Sequence, residues 1–182
     1  MIKEALLFAT KAHEGVMRKG TTNIPYITHP VETAVIVSLM TDEEEMIAAA
    51  LLHDVMEDAG VTWEELERLF GKRVADLVLA ESEDKSGSWQ ERKGTTIEHL
   101  QDADRDIKIL TLGDKLSNMR STAKDYLVMG DQIWQKFNEK DKAKHAWYYG
   151  RVAAALKELE GSPCYQEYLL LYNQVFGDKK GK

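Results

Sequence analysis

The sequence is poor in cysteine and proline and has no long apolar run. Its 182 residues include one cysteine, Cys164, and three prolines. A single cysteine excludes an internal disulfide and fits a reducing compartment. No apolar run approaches the roughly 20 residues of a membrane span, and the first residues lack a signal-peptide core. We therefore expect a cytoplasmic protein with no membrane partner.

The sequence also lacks an excess of basic residues. Its formal net charge is -7, with 24 Lys and Arg against 31 Asp and Glu. Proteins that bind nucleic acids broadly need a basic face, so this balance argues against a nucleic-acid partner. A small phosphate-rich ligand stays possible, provided that basic side chains converge locally.

The composition favours an all-α fold. Only twelve glycines and three prolines interrupt a chain rich in Ala, Leu, Glu and Lys. We expect one compact helical bundle over residues 1–177, with residues 178–182 as a disordered tail. The hydrophobic periodicity predicts helices over residues 2–18, 30–40, 42–58, 62–70, 72–82, 107–122, 140–159 and 163–176. Residues 83–94 are polar and are predicted to form a solvated loop.

One apolar helix runs directly into ionisable residues. Residues 46–52 are apolar on every side, and His53, Asp54, Glu57 and Asp58 follow at once. Buried carboxylates need a cation or hydrogen bonds to replace their water. Residues four apart share a helix face, so His53 lies above Glu57 and Asp54 above Asp58. The spacing indicates a metal site with an acid/base pair one turn further; the alternative is a solvated helix end with a core histidine.

Three blocks of sequence together resemble the HD-domain superfamily. They are PYITHP at residues 25–30, LLHDVMED at 51–58 and GDKLSNMR at 113–120. More narrowly, they resemble the hydrolase domain of RelA/SpoT-type enzymes and the stand-alone small alarmone hydrolases. The similarity extends from about residue 5 to about residue 125, and more loosely to 160. It implies an HD-domain helical bundle that uses Mn²⁺ to hydrolyse the 3′-diphosphate of ppGpp.

The resemblance also implies roles for particular residues. The metal ligands would be His29, His53, Asp54 and Asp114. The acid/base pair beside the metal would be Glu57 and Asp58. The substrate would be held by Arg18, Lys19, Lys85, Asn118 and Tyr148. Taken alone, several of these have simpler interpretations: a helix end for Arg18 and Lys19, a loop for Lys85, and a core aromatic for Tyr148.

Two positions depart from the family's pattern, and the metal is not fixed by the residues. Val16 stands where the family usually has glutamine, and Gly113 where it usually has alanine. The proposed ligands combine imidazole and carboxylate without thiolate, which suits Mn²⁺, Fe²⁺ or Zn²⁺. The resemblance favours Mn²⁺.

The expected activity is conversion of ppGpp or pppGpp to GDP or GTP and pyrophosphate, with a small-molecule nucleotide as the partner. One alternative is another HD phosphohydrolase acting on a dNTP, a nucleoside monophosphate or a cyclic nucleotide. A second alternative is a catalytically silent HD module that senses a nucleotide. The oligomeric state is left open.

Overall fold

A computed structural model describes residues 1–19, 23–83 and 85–177 of the chain. The described residues form ten α-helices and two short 3₁₀ turns, with no strand beyond one isolated bridge between Met17 and Pro25. The helices are α1 Ile2–Ala12, α2 Thr28–Ser38, α3 Glu44–Leu52, α4 Val55–Ala59, α5 Trp63–Phe70, α6 Lys72–Glu81, α7 Trp89–Asp102, α8 Arg105–Met129, α9 Lys142–Ala155 and α10 Pro163–Phe176. The all-α prediction is confirmed.

Helices α3 and α8 form the centre of the bundle. In α3, Met46 and residues 48–52 are all buried, as expected for a helix that is apolar on every side. Helix α8 packs against α2, α3, α6 and α10, and α10 also packs against α9. Because α8 is covered on several sides, its polar residues Thr111, Asp114 and Ser117 are buried.

Helix α1 ends earlier than predicted. It stops at Ala12, and Gly15 then adopts a left-handed backbone with φ 75°. The Arg18 amide donates to the Ile24 carbonyl at 2.9 Å, and the Tyr26 amide donates to the Val16 carbonyl at 2.8 Å. The prediction of a helix to residue 18 is therefore wrong, and Arg18 lies in an extended segment rather than in a last turn.

The helix predicted over residues 42–58 is broken where the ionisable residues begin. Helix α3 ends at Leu52, His53 and Asp54 form a turn, and α4 starts at Val55. Gly60, with φ 68°, ends α4 in the left-handed conformation that favours glycine. The break leaves the His53 and Asp54 side chains free of strict helical spacing.

The second half of the predicted 83–94 loop is helical. Helix α7 begins at Trp89 behind a capping box, in which Ser88 accepts from the Glu91 amide and Glu91 accepts from the Ser88 amide. The prediction of a loop is wrong there, because this reciprocal cap starts a helix within the polar segment. The helix predicted from residue 62 also begins at a cap, in which Thr62 accepts from the Glu65 amide at 3.2 Å.

Two further predictions concern membrane-spanning segments and the end of the sequence. No helix in the part of the chain that the structure describes is both long enough and apolar enough to cross a membrane. The tail predicted at residues 178–182 lies outside the described residues.

Candidate metal centre and substrate cavity

Two buried histidines face each other between α2 and the end of α3. His29 is the second residue of α2, and His53 begins the turn after α3; both are about 3% exposed or less. Their Nε2 atoms lie 3.2 Å apart. Each ring uses its other nitrogen for a partner behind it: His29 Nδ1 lies 2.8 Å from Ser117 Oγ, and His53 Nδ1 lies 2.9 Å from the Ala50 carbonyl.

These partners determine where the protons are. A carbonyl only accepts, so His53 Nδ1 must carry a hydrogen. Ser117 donates its single proton to Glu32 Oε2 at 2.8 Å, and therefore accepts from His29 Nδ1. Each ring therefore presents its Nε2 atom to the other ring, with the carboxylates of Asp114 and Asp54 beside the two Nε2 atoms. An imidazole nitrogen in this setting binds either a proton, which pairs with a carboxylate, or a metal ion.

Two carboxylates complete this cluster. Asp114 Oδ1 lies 3.0 Å from His29 Nε2 and 3.6 Å from His53 Nε2, while Asp54 Oδ2 lies 3.0 Å from His53 Nε2 and 3.6 Å from His29 Nε2. One donor atom each from His29, His53 and Asp114 falls within 4.8 Å of the others. Imidazole nitrogen and carboxylate oxygen at this spacing fit a divalent transition-metal ion.

The carboxylates are held in their charged form. Burial alone would raise the pKa of Asp114, but the Lys115 ammonium and the two histidines hold that pKa well below its usual value. Burial likewise opposes ionisation of Asp54, and the adjacent His53 and His29 outweigh it, so the Asp54 pKa is also lowered. An ionised pair of carboxylates is the form that binds a metal.

Outer partners orient both carboxylates. The Tyr26 hydroxyl donates to Asp54 Oδ2 at 2.6 Å, and Asn118 Nδ2 donates to Asp114 Oδ1 at 2.6 Å. Lys115 donates to the other oxygen of Asp114. Metal ligands in proteins are commonly oriented by such partners. Each of the four candidate ligands therefore has a defined hydrogen-bond partner behind it.

The cluster forms one wall of a cavity of about 850 Å³. The cavity lining contains the cations Arg92, Lys93 and Lys115 together with a larger number of carboxylates, among them Glu57. Glu57 Oε1 accepts from the Glu83 amide at 2.6 Å, and burial raises the Glu57 pKa above its usual value. A nucleotide-sized ligand fits a cavity of this volume.

The cavity cations already have partners within the chain. Glu83 lies 2.5 Å from Lys93 Nζ and 3.3 Å from an Arg92 nitrogen, and Lys115 pairs with Asp114. Lys93 also lies 5.0 Å from the centre of the Tyr148 ring, and Tyr148 is 4% exposed. Among the described residues, the buried Tyr148 hydroxyl has no hydrogen-bond partner. A ligand in the cavity would therefore meet cations and a hydroxyl donor together.

The predicted site residues fall into two groups. Those that line the cavity are His29, His53, Asp54, Glu57, Asp114, Asn118 and Tyr148. Those that do not line it are Arg18, Lys19, Asp58 and Lys85. Arg18 instead donates to Asn118 Oδ1 at 3.2 Å and to Ser121 Oγ at 3.1 Å. Lys85 is exposed and donates to the Glu57 carbonyl at 2.9 Å.

Several residues of the site were missed by the sequence reasoning. They are Tyr26, Glu32, Glu81, Glu83, Ser117 and Lys115. Tyr26, Ser117 and Lys115 lie inside the two blocks of sequence that carry His29 and Asp114, so proximity to a ligand was an available signal. Glu83 carried no such signal, because its role depends on α7, whose start was not predicted.

Comparison with known proteins agrees with this geometry. Residues 5–141 match the family described as HD domain. The chain belongs to the HD-domain family. The prediction of that family, and of its alarmone-hydrolase branch, is thereby confirmed. The chain is 38% identical over 122 residues to the guanosine-3′,5′-bis(diphosphate) 3′-pyrophosphohydrolase MESH1 of Danio rerio, covering 66% of this chain and 68% of that one.

Other relatives extend the comparison. The bifunctional (p)ppGpp synthase/hydrolase SpoT of Escherichia coli K12 is 37% identical over 126 residues, covering 66% of this HD-domain chain but 18% of SpoT. A solved metazoan ortholog of SpoT, described as hydrolysing ppGpp and playing a role in starvation responses, superposes with a TM-score of 0.81 at 28% identity, covering 97% of this chain and 96% of that one. The lmo0812 protein of Listeria monocytogenes EGD-e superposes with a TM-score of 0.76 at 32% identity, covering 82% and 99%.

Proposed function

We propose that this HD-domain protein hydrolyses the 3′-diphosphate of ppGpp and pppGpp, releasing pyrophosphate and leaving GDP or GTP. The main supporting observation is that the Nε2 atoms of His29 and His53 lie 3.2 Å apart, flanked by two carboxylates, in the wall of a cavity whose lining includes Arg92, Lys93 and Lys115. Its relatives named as guanosine-3′,5′-bis(diphosphate) 3′-pyrophosphohydrolases support the same activity.

We propose Mn²⁺ as the ion, held by His29, His53, Asp54 and Asp114; Fe²⁺ and Zn²⁺ suit the same donor atoms. A divalent ion bound there supplies Lewis acidity at the phosphoryl group and lowers the pKa of water. The protein's own contribution is orientation, because Tyr26, Asn118, Ser117 and the Ala50 carbonyl fix the four ligands before anything binds.

In the proposed reaction a water oxygen forms a bond to the phosphorus linked to the 3′-oxygen, and the bond between that phosphorus and the 3′-oxygen breaks. Glu57 takes the proton from water and a proton passes to the departing 3′-oxygen, so the reaction is balanced. Glu57 suits this role because burial raises its pKa and the Glu83 amide fixes its carboxylate. Asp58, one residue on and exposed, stays a proposed member of the acid/base pair.

We propose that the phosphates are held by Arg92, Lys93 and Lys115, which line the cavity, together with Asn118 and the Tyr148 hydroxyl. At the margin of the site, Arg18 stays a proposed contact for the base and Lys19 a proposed contact for a phosphate. Lys85 also stays a proposed phosphate contact. A nucleotide with phosphates at two ends would use cations in separate segments; a monophosphate would not.

We also propose that residues 1–177 form a single domain, because α9 brings Tyr148 to the cavity and α10 packs on α8. The HD-domain match itself ends at residue 141. A cytoplasmic location stays a prediction.

The deciding experiment is product analysis on a substrate panel with Mn²⁺. The panel contains ppGpp, pppGpp, dNTPs, nucleoside monophosphates and cyclic nucleotides. We expect ppGpp to give GDP and pyrophosphate, with EDTA abolishing the reaction. Formation of guanosine 3′-diphosphate 5′-monophosphate would show that the 5′-diphosphate is hydrolysed instead, and would contradict the proposal. Rapid turnover of another nucleotide without turnover of ppGpp or pppGpp would assign the chain to a different HD branch.

A further inference from the structure

A chain of charged and polar side chains connects His29 to the outer helix α10. His29 Nδ1 donates to Ser117 Oγ, and Ser117 donates to Glu32 Oε2, both at 2.8 Å. The other oxygen of Glu32 accepts from Arg120 at 3.1 Å. Arg120 makes two further hydrogen bonds of 2.7 Å to the two oxygens of Glu167 on α10.

The direction of the hydrogen bonds from His29 through Ser117 depends on Glu32. An ionised carboxylate has no proton to donate, so Ser117 must donate to it. The serine hydroxyl has one proton, and its remaining capacity is to accept from His29 Nδ1. The Arg120 guanidinium pairs with the other Glu32 oxygen at 3.1 Å. The Nε2 lone pair of His29 consequently faces Asp114 and His53.

Without a carboxylate at residue 32, the direction of both hydrogen bonds can reverse. A glutamine at residue 32 offers an NH₂ group that donates to Ser117, which then donates its own proton to His29 Nδ1. The His29 proton would move to Nε2, where a metal ion must bind. Among the described residues, the fully buried Ser117 is the hydrogen-bond partner of His29 Nδ1, so the position of the His29 proton depends on the direction of that hydrogen bond.

We propose that Glu32, acting through Ser117, is a positioning residue that fixes His29 in the tautomer able to bind metal. This rests on the proposed metal centre. Glu32 touches neither the candidate metal ligands' donor atoms nor the cavity lining, so its influence passes through Ser117 alone. Arg120 and Glu167 hold the carboxylate in place from the far side.

The test compares Mn²⁺ affinity in the full chain and three variants, using a competing chromogenic chelator. Glu32→Gln and Ser117→Ala should each weaken Mn²⁺ binding by about 10- to 100-fold, the usual effect of losing an outer-shell partner. The double variant should be no weaker than Ser117→Ala alone, since both changes interrupt one pathway. Circular dichroism should show unchanged helix content in all three.

Glu45→Gln is the matched control. Glu45 also pairs with an arginine, Arg73, and its side chain is 39% exposed against 35% for Glu32, but it lies away from the site. It should leave Mn²⁺ affinity unchanged. Equal losses in Glu45→Gln and Glu32→Gln, or additive losses in the double variant, would overturn the proposal.

A second measurement reads the tautomer directly. Long-range ¹H–¹⁵N spectra of the metal-free proteins should place the His29 proton on Nδ1 in the wild type and on Nε2 in the Glu32→Gln variant. Retention of the Nδ1 proton in that metal-free variant would refute the role of Glu32. Failure of the wild-type chain to bind Mn²⁺ or Zn²⁺ at all would instead refute the proposed metal centre.

Discussion

Asp114 interrupts an apolar stretch of α8, and its carboxylate is 7% exposed, so its charge must be compensated inside the protein. We predict that Asp114→Asn abolishes stoichiometric Mn²⁺ uptake while leaving a helical protein, measured by metal analysis after gel filtration and by circular dichroism. The amide keeps the shape of the side chain but removes the charge that faces His29. Asp76→Asn, which removes an exposed partner of Lys72, should retain full metal. Full metal content in Asp114→Asn would exclude Asp114 as a ligand.

Glu57 is the residue whose titration the proposed reaction uses. We predict that Glu57→Gln keeps the metal and lowers kcat by roughly 10²-fold or more. Burial raises the Glu57 pKa above its ordinary 4.5, and a base must be unprotonated to act. The wild-type rate should therefore fall as pH decreases through a value above 4.5, and that acidic limb should be missing from the variant's pH–rate profile. Loss of metal on substitution would make Glu57 a ligand instead.

Lys93 and Lys85 provide a matched comparison for phosphate binding. Lys93 lines the cavity and is 20% exposed, whereas Lys85 lies outside the lining and is 58% exposed. We predict that Lys93→Met raises KM for ppGpp by about 10-fold or more, the scale of one charged hydrogen bond. Lys85→Met should change KM by much less. The reverse order in steady-state kinetics would restore Lys85 as the main phosphate contact.

At the scale of helices, α8 approaches α2 closely where Gly113 lies. A Cβ built on Gly113 would be 2.7 Å from Val37 Cγ2 and 3.2 Å from the Thr33 carbonyl. Alanine favours helix by about 1 kcal/mol, while overpacking a core costs about 1–3 kcal/mol. We predict net destabilisation of Gly113→Ala in urea unfolding, and weaker Mn²⁺ binding because α8 carries Asp114 past α2. Stabilisation with unchanged metal affinity would contradict this.

Gly94 is the control for that comparison. It lies inside α7, and a Cβ there would meet nothing within 4 Å. Gly94→Ala should therefore stabilise the protein by up to about 1 kcal/mol, the gain in helix propensity alone. A destabilising Gly113→Ala and a stabilising Gly94→Ala would separate the effect of core packing from that of helix propensity.

The helices show which features sequence reasoning can reach. The continuous apolar surface of α3 predicted its burial, whereas the grouping of Asp54 and Asp114 with the two histidines was predicted from the resemblance to the HD-domain superfamily. The turn at His53 and Asp54 was not predictable from periodicity, since helical spacing continues across it. The extended conformation around Arg18 likewise depends on the bridge between Met17 and Pro25, which pairs residues eight apart in the sequence.

The cations of the cavity show a second limit of prediction from sequence. Lys115 adjoins Asp114 in the sequence, yet its burial follows from the packing of α8 against α6. Burial alone would lower the Lys115 pKa, and the Asp114 carboxylate instead holds it well above its usual value. Sequence gives such residues a position on a helix; only the packing of neighbouring helices decides that they face a ligand.

At the scale of the whole molecule, the carboxyl-terminal helices complete both the core and the site. Helix α9 supplies Tyr148 to the cavity, and α10 packs along α8 and binds Arg120 through Glu167. The HD-domain match ends at residue 141, just before α9. The matched segment alone therefore lacks one wall of the cavity and the cover of its central helix.

We predict that a chain ending at residue 141 does not fold cooperatively. It loses Val152, Leu156, Leu159 and Tyr168, each 2% exposed or less. At about 2 kcal/mol for each buried side chain, this loss is about 8 kcal/mol, which is comparable with the 5–15 kcal/mol that stabilises an ordinary domain. Thermal melting followed by circular dichroism should show no sigmoidal transition, and Mn²⁺ binding should be lost. A chain ending at residue 177 keeps every described helix and serves as the control. A cooperative, Mn²⁺-binding 1–141 chain would show instead that α9 and α10 are accessory to the bundle.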